Sequence, residues 1–376
     1  MLIELHIIQN FAPSNLNRDD TNNPKDTEFG GVRRARISSQ CIKRAIRNAP
    51  VFAETTGVEV GVRTRWMARL LTDELVVAGV DPQQAESLAL EFAEAYSGKV
   101  DKGHTSVLLY LSPAEIAYFA SLLLSNWEAL QASEQERQAV FAQIVKEIRK
   151  ATAKRTSAPD IALFGRMLAD KPDLSMEAAC QVAHAISTHR VNMDMDFFTA
   201  VDDLQQGEET GAGMMGYTGF NSATFYRYAC IDWNQLVANL DNDVELAELT
   251  VEGFLRASVQ AIPSGKQNTF AAHNPPSFLL AVVRQDGASW ALHNAFEKPV
   301  SAWRDTGLVE PSIQALDQYW GRLATMYSQD GKGSMVVTAL SLANGLELES
   351  LGSSIAPNLS DWISRVKAAL RQEARS

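Results

Sequence analysis

Residues 29–49 read FGGVRRARISSQCIKRAIRNA, from Phe29 to Ala49, and the stretch departs from the rest of the chain. It holds six basic residues (Arg33, Arg34, Arg36, Lys43, Arg44 and Arg47) and no acidic one, in a protein of formal net charge -11. An anionic chain that keeps one dense cationic element either aims it at a partner or neutralises it against its own acidic surplus, and composition alone leaves both open. The local pattern is more definite. Gly30-Gly31 marks a turn, and Ser38-Ser39 supplies a hydroxyl for the first orphan amides of a helix. From Gln40 the period is helical: at 100° per residue Cys41, Ile42, Ala45 and Ile46 share one face, with Lys43, Arg44 and Arg47 opposite. The helix has an apolar floor and a cationic roof, and its N-terminal amides add partial positive charge beside Arg33, Arg34 and Arg36.

Working outward, apolar content of 46% and charged content of 21% describe an ordinary globular protein with length for one large domain or two to three smaller ones. No apolar run reaches the length of a membrane span, and MLIELHIIQN lacks the basic region of a signal peptide, so a cytoplasmic protein with no membrane partner is expected. Cys41, Cys180 and Cys230 are widely spaced and form no metal or disulfide pattern, so buried free thiols are expected, Cys41 and Cys180 in helices.

Before the basic stretch, Leu2–Ile8 alternates as a strand, and Pro13–Lys25 is turn chemistry from which Arg18 and Lys25 project. After it, residues 61–190 read as helices. Asp81-Pro82 caps one that ends at Gly98, Ser112/Glu115 and Ser133/Glu136 are capping boxes, and shorter helices are expected at 158–168 and 176–189. Strands are scarce there, which makes this third a helical insertion with its own core. From Val191 the period returns to two. Strands are expected at 193–202 and 220–231, joined by a Gly-rich connection over 205–219, with Met214 and Met215 displayed at its tip. The last third alternates helices (245–261, 312–327, 361–371) with strands (277–284, 335–340), so the fold class is α+β.

Most chemical motifs fail on context. GAGMMG at 211–216 matches the dinucleotide fingerprint but is followed by a strand instead of a helix. Ser264-Gly265-Lys266-Gln267 is close to a phosphate loop yet lacks the upstream glycine and the magnesium-binding hydroxyl, leaving Lys266 as a point charge. His184 and His189 are five residues apart and do not share a helix face. Asp194, Asp196, Asp202 and Asp203 form an acidic cluster that fits a metal-dependent nuclease. A polar strand face or a charged edge that blocks pairing is the weightier reading of the same residues. No catalytic residue and no cofactor is assigned.

Several strings taken together are more specific. Leu16-Asn17-Arg18-Asp19-Asp20, Phe29-Gly30-Gly31 and Arg33–Gln40 resemble the start of CasC proteins, the backbone subunits of Cascade, the type I-E CRISPR surveillance complex. Asp160–Leu163 with Gly165-Arg166-Met167, Phe198–Leu204, Phe225–Tyr228, Asn294–Lys298 and Pro311–Ala315 fit the same family. The likeness runs from residue 1 to about 330. It implies a hand-shaped protein, with a palm built on a modified RRM (ferredoxin-like) sheet, helical fingers and a long β-hairpin thumb. In residues these are palm 1–60 and 232–376, fingers 61–190 and thumb 191–231 with its flanking palm strands.

It further implies a subunit without catalytic activity, copies stacked head to tail on a guide RNA (crRNA), other Cascade subunits as partners, and target DNA met through the guide. Arg18, Lys25, Lys43 and Arg47 match palm positions that hold the guide backbone, Lys266 and Lys298 match further basic contacts, and Arg34 and Arg44 join them by charge. Met167, Phe198 and Met215 match positions that pack against bases. Such contacts carry no sequence information, which suits a protein that must hold any guide. The tail after about Ser328 matches poorly, and the hairpin tip departs from the family's more polar text.

Overall fold

The protein is described from a computed structural model, which covers residues 1–152, 154–167, 175–200, 214–285, 287–302, 306–327, 335–343 and 345–373. In chain order the strands begin with β1 Leu2–Ser14, β2 Asp26–Phe29, β3 Val32–Ile37, β4 Val62–Thr64, β5 Val100–Asp101, β6 His104–Thr105 and β7 Leu109–Leu111. They continue with β8 Cys180–Val182, β9 Ala185–Ser187, β10 Asp194–Ala200, β11 Met214–Asp232, β12 Phe278–Arg284 and β13 Met335–Ser341. The helices include α1 Ser39–Arg47, α2 Pro50–Thr56, α3 Met67–Val77, α4 Pro82–Ser97, α5 Pro113–Ser125, α6 Trp127–Leu130 and α7 Glu134–Thr152. After these come α8 Pro159–Phe164, α9 Trp233–Asn239, α10 Val244–Gln260, α11 Gln267–Phe270, α12 Val309–Tyr327 and α13 Leu359–Glu373. The chain divides into two compact units, 1–49 with 181–231 and 254–376, and 50–180 with 232–253.

In the first unit the sheet runs β13-β12-β1-β11-β9-β3-β2, with β8 and β10 also paired to β11. β1 and β12 run antiparallel in register from Leu2↔Arg284 to Ile8↔Phe278, and β12 pairs β13 from Phe278↔Ser341 to Arg284↔Met335. Both faces of β1 are covered, which is why Ile3, Leu5, Ile7 and Ile8 are buried on its two sides and its polar residues Glu4, His6 and Gln9 are buried as well. On one face Ile8, Phe278, Leu280 and Val282 pack with Ile313, Leu316 and Trp320 of α12 and with Leu292 and Phe296. On the other, Leu5 and Ile7 share a small cavity of about 10 Å³ with Ile42 and Ile46 of α1 and with Phe254. The period-2 side-chain alternation of β1 puts residues 5 and 7 opposite residues 4, 6 and 8. Those even positions bring polar groups into the core. Arg284 Nε donates to Glu4 Oε1 at 2.8 Å, Trp290 N–H donates to Glu4 Oε2 at 2.8 Å, and His6 Nδ1 lies 2.8 Å from Tyr226 Oη.

The second unit has its own core, made where Leu71 and Leu75 of α3, Phe92 and Tyr96 of α4, Phe119 of α5, and Phe141, Ile144 and Ile148 of α7 meet. Its helix starts follow the sequence signals. Asp81 accepts from the Gln83 and Gln84 amides ahead of Pro82, and Gly98 ends α4 at φ 90°. Glu115 N–H donates to Ser112 Oγ at 3.0 Å, and Ser112 N–H donates to Glu115 Oε2 at 2.8 Å.

Two expectations are corrected. Residues 176–189 are not a helix: Cys180–Val182 and Ala185–Ser187 are short strands paired to β11, where a β-branched, aromatic neighbour overrides a weak helical pattern. Cys180 is therefore a buried strand thiol. The helical third also contains strands, in the two-stranded pairs β4-β7 and β5-β6.

Candidate nucleic-acid interface

The loop before β2 is held by its own polar side chains. Asp19 Oδ1 accepts from the Thr21 and Asn23 amides and from Thr21 Oγ1 at 2.8–2.9 Å, hydrogen bonds that pull its carboxyl below the usual range. Asn15 Nδ2 donates to Asn22 O at 3.1 Å and to Gly219 O at 2.9 Å, which fastens the loop to β11. Lys25 N–H donates to Asn17 O, and Lys25 O accepts from Arg36 N–H, each at 2.9 Å, so Lys25 rises beside β3. Arg18 is exposed, with Nη1 donating to Asn22 Oδ1 at 3.0 Å.

α1 begins as its sequence predicts. Ser38 Oγ accepts from Cys41 N–H at 3.3 Å, and Ser38 N–H donates to Asn17 Oδ1 at 2.8 Å, so the cap is tied to the polar loop. Ile42 and Ile46 are buried, Arg44 is exposed, and Lys43 and Arg47 are half-buried. Burial pushes the Cys41 thiol up, and the nearby Arg44 and Lys25 charges oppose the shift. At the head of the helix Ser39 N–H donates to His184 Nδ1 at 3.0 Å. The register Ile37↔Ala185 sets His184 across from Ser38.

Two glycines bring in cations distant in sequence. A Cβ on Gly265 would stand 2.3 Å from Leu16 O, so this turn lies against the Arg18 loop and carries Lys266 to it. Gly30, at φ +60°, comes so close to the Glu297 carbonyl that a Cβ would stand 1.8 Å from its oxygen, next to Lys298. Each contact needs the missing side chain. Loop, β3, α1, Lys266 and Lys298 thus all belong to one unit, joined by the hydrogen bonds of the loop and the close approaches of the two glycine turns.

Arg34 leaves the set. It is 0% exposed, and its guanidinium donates to Phe29 O at 3.1 Å, Ser187 O at 3.2 Å, Phe296 O at 2.8 Å and Glu297 O at 3.3 Å. It binds the β2–β3 turn, β9 and the segment before Lys298 to one another, a role its neighbouring charges concealed in the sequence. Burial lowers its pKa.

The hairpin of β10 and β11 pairs from Asp194↔Phe220 to Ala200↔Met214. Met214 and Met215 are therefore in the paired strand and not at a tip, and the connection 201–213 lies outside the described residues. Phe198 and Met215, both assigned to bases, project from opposite faces, because Phe198 pairs with Gly216 and Met215 with Thr199. The Phe198 ring lies over Gly216, where a Cβ would stand 2.5 Å from Cζ. On Met215's face Met195, Phe197 and Tyr217 are also exposed, with Phe197 and Tyr217 rings 5.1 Å apart. Sequence reasoning missed those three, although the run MDMDFF over 193–198 alternates visibly.

Met167 belongs to the second unit and is 87% exposed. Beside it Arg166 is buried, with Nη1 donating to Glu115 Oε1 at 2.7 Å, and Gly165 sits at φ +73° where a Cβ would meet Met176 O at 2.8 Å. The Glu115 carboxylate that closes the capping box also anchors Arg166, so the two residues before Met167 are fixed while Met167 projects.

Asp194 and Asp196 share a face of β10 and are exposed, Asp202 and Asp203 lie outside the described residues, and no metal-competent trio of side chains exists among the described residues. His189 is a core residue, its Nε2 accepting from Thr224 N–H at 3.1 Å and Nδ1 facing Arg190 O at 2.8 Å.

A family model described as CT1975-like protein matches residues 3–365. The chain belongs to the CT1975-like protein family. Among solved structures, this CT1975-like protein is similar to a chain of a CRISPR RNA-guided surveillance complex described as pre-nicking, with a TM-score of 0.85 and 30% identity, covering 98% of this chain and 100% of that one. It is also similar to a chain of a CRISPR RNA-guided surveillance complex with a TM-score of 0.76 and 26% identity, at 98% and 100% coverage. Comparison with curated proteins gave no match. The CasC resemblance read from the sequence agrees with the family and with both structures.

Proposed function

We propose that this CT1975-like protein is the guide-RNA-binding backbone subunit of a type I-E CRISPR surveillance complex, and that it carries no catalytic activity of its own. The observation that carries the reading is the assembly of Arg18, Lys25, Lys43, Arg44 and Arg47 from the first fifty residues with the sequence-distant Lys266 and Lys298 in one unit of an otherwise anionic chain, in a protein similar along its whole length to surveillance-complex chains. The first unit's sheet serves as an RRM-like palm, the second unit as fingers, and β10–β11 as a thumb. Copies stack head to tail along the guide, each thumb pressing the RNA held by its neighbour and kinking it, so that the guide pairs with target DNA between kinks. Phosphate contacts and sequence-tolerant stacking by Met167, Phe198 and Met215 hold any guide.

The test is binding of single-stranded RNAs of equal length and unrelated sequence, with particle mass read on each. Equal affinities and masses rising in whole multiples of one chain are expected. Sequence-dependent affinity, or a single copy on long RNA, would overturn the reading.

A further inference from the structure

The side chain at the head of the basic helix that no function yet uses is His184. Its Nδ1 accepts the Ser39 amide proton at 3.0 Å, so the neutral ring must carry its hydrogen on Nε2. The side chain is exposed, and the ladder between β3 and β9 sets it across from the Ser38 cap. Around it stand Lys25 and Arg36, whose charges act on the ring, and His293, whose ring bonds the His184 backbone. Protonation would turn Nδ1 from acceptor into donor and break the Ser39 bond. Partial desolvation and the two cations oppose protonation as well, keeping the pKa below its ordinary value. The result is a donor of fixed direction and no charge, set among cations.

We propose that His184 is a further RNA contact, its Nε2–H donating to a non-bridging phosphate oxygen of the strand that Lys25 and Arg36 neutralise. This rests on the RNA reading of the palm. A neutral donor releases no counterion, so its signature differs from that of a lysine. His184→Ala lowers affinity for a fluorescein-labelled single-stranded RNA about fivefold, the scale of one hydrogen bond, with the salt slope unchanged. His184→Gln, whose amide both accepts from Ser39 and donates outward, recovers affinity to within about twofold.

On the unmodified protein, nitrogen NMR of labelled histidine reports the Nε2–H tautomer, and the Nε2 resonance moves when RNA is added. An Nδ1–H tautomer, a resonance indifferent to RNA, or unchanged affinity of His184→Gln and His184→Ala alike while Lys43→Ala and Arg47→Ala weaken binding, would overturn the assignment. If the lysine and arginine variants also bind normally, the palm reading itself fails and the His184 contact with it. Should His184→Ala not fold, the NMR measurement and the glutamine variant decide.

Discussion

Replacing Arg34 by alanine removes a guanidinium that four backbone carbonyls share, those of Phe29, Ser187, Phe296 and Glu297. Only the bond to Phe296, at 2.8 Å, is short; the others lie at 3.1–3.3 Å. A charged donor on a neutral acceptor contributes about 1.5–3 kcal/mol, and each buried carbonyl left without a donor costs about 1–3 kcal/mol. Relief of the desolvated charge offsets part of that sum, which puts the net loss near 4 kcal/mol. Against a total stability of about 5–15 kcal/mol the change is large, and a urea midpoint falls by roughly 1–2 M with the slope unaltered. Arg34→Lys recovers less than half, because one ammonium cannot span three chain segments. Urea titration followed by circular dichroism reads both variants. If Arg34 were an outward-facing phosphate ligand, the alanine variant would keep its midpoint and lose RNA affinity alone, and that result would refute the clamp.

Gly30→Ala drives a methyl into the Glu297 carbonyl at 1.8 Å and lowers the melting temperature sharply, whereas Gly31→Ala, at φ +71° with no atom within 4 Å, costs only the conformational strain of about 1 kcal/mol. Equal melting temperatures for the two variants would contradict the close approach. Lys43→Ala and Arg47→Ala each weaken RNA binding alike for all sequences and reduce the slope of log affinity against log salt by about one unit, measured by anisotropy across salt concentrations. Stability falls with acid. Burial holds the His6 pKa at about 3 against an ordinary 6.5, so the unfolded chain binds the proton first, and stability present above pH 6.5 is lost as pH drops toward 3. The loss is about 2 kcal/mol by pH 5; His184, His189 and His293, all lowered, act in the same sense, while Glu4, raised by burial, offsets part of it. Denaturation at pH 7 and pH 5 with identical midpoints would count against it.

The fold was most legible where local chemistry decides it. Capping residues at Asp81, Ser112 and Ser38 place helix starts without knowledge of the rest of the chain, because the acceptor and the orphan amide are within three residues of each other. Strands β8 and β9 were hidden for the opposite reason. Three residues each, they exist because β11 offers a ladder, and nothing within 180–187 encodes that partner. The hairpin's faces were legible in part: alternation from Met193 onward marks a strand, but which residue opposes which depends on the register, and the register separates Phe198 from Met215.

Charge density found the cationic element, but density does not distinguish a ligand from a strut. Arg33, Arg34 and Arg36 are neighbours in sequence with three fates. Arg33 is exposed with Nη1 3.3 Å from Asp26, Arg34 is sealed among carbonyls, and Arg36 is half-buried with Nε on Asp26 O at 3.1 Å. Strand alternation alone would put Arg34 and Arg36 on one face. What separates them is Gly30, whose absent side chain lets the Glu297 carbonyl reach the Arg34 guanidinium. The clamp and the delivery of Lys298 are therefore one structural event. A basic run read from sequence should be apportioned by asking which of its members has backbone carbonyls within reach from a glycine turn. Those members build the surface on which the remaining cations are displayed.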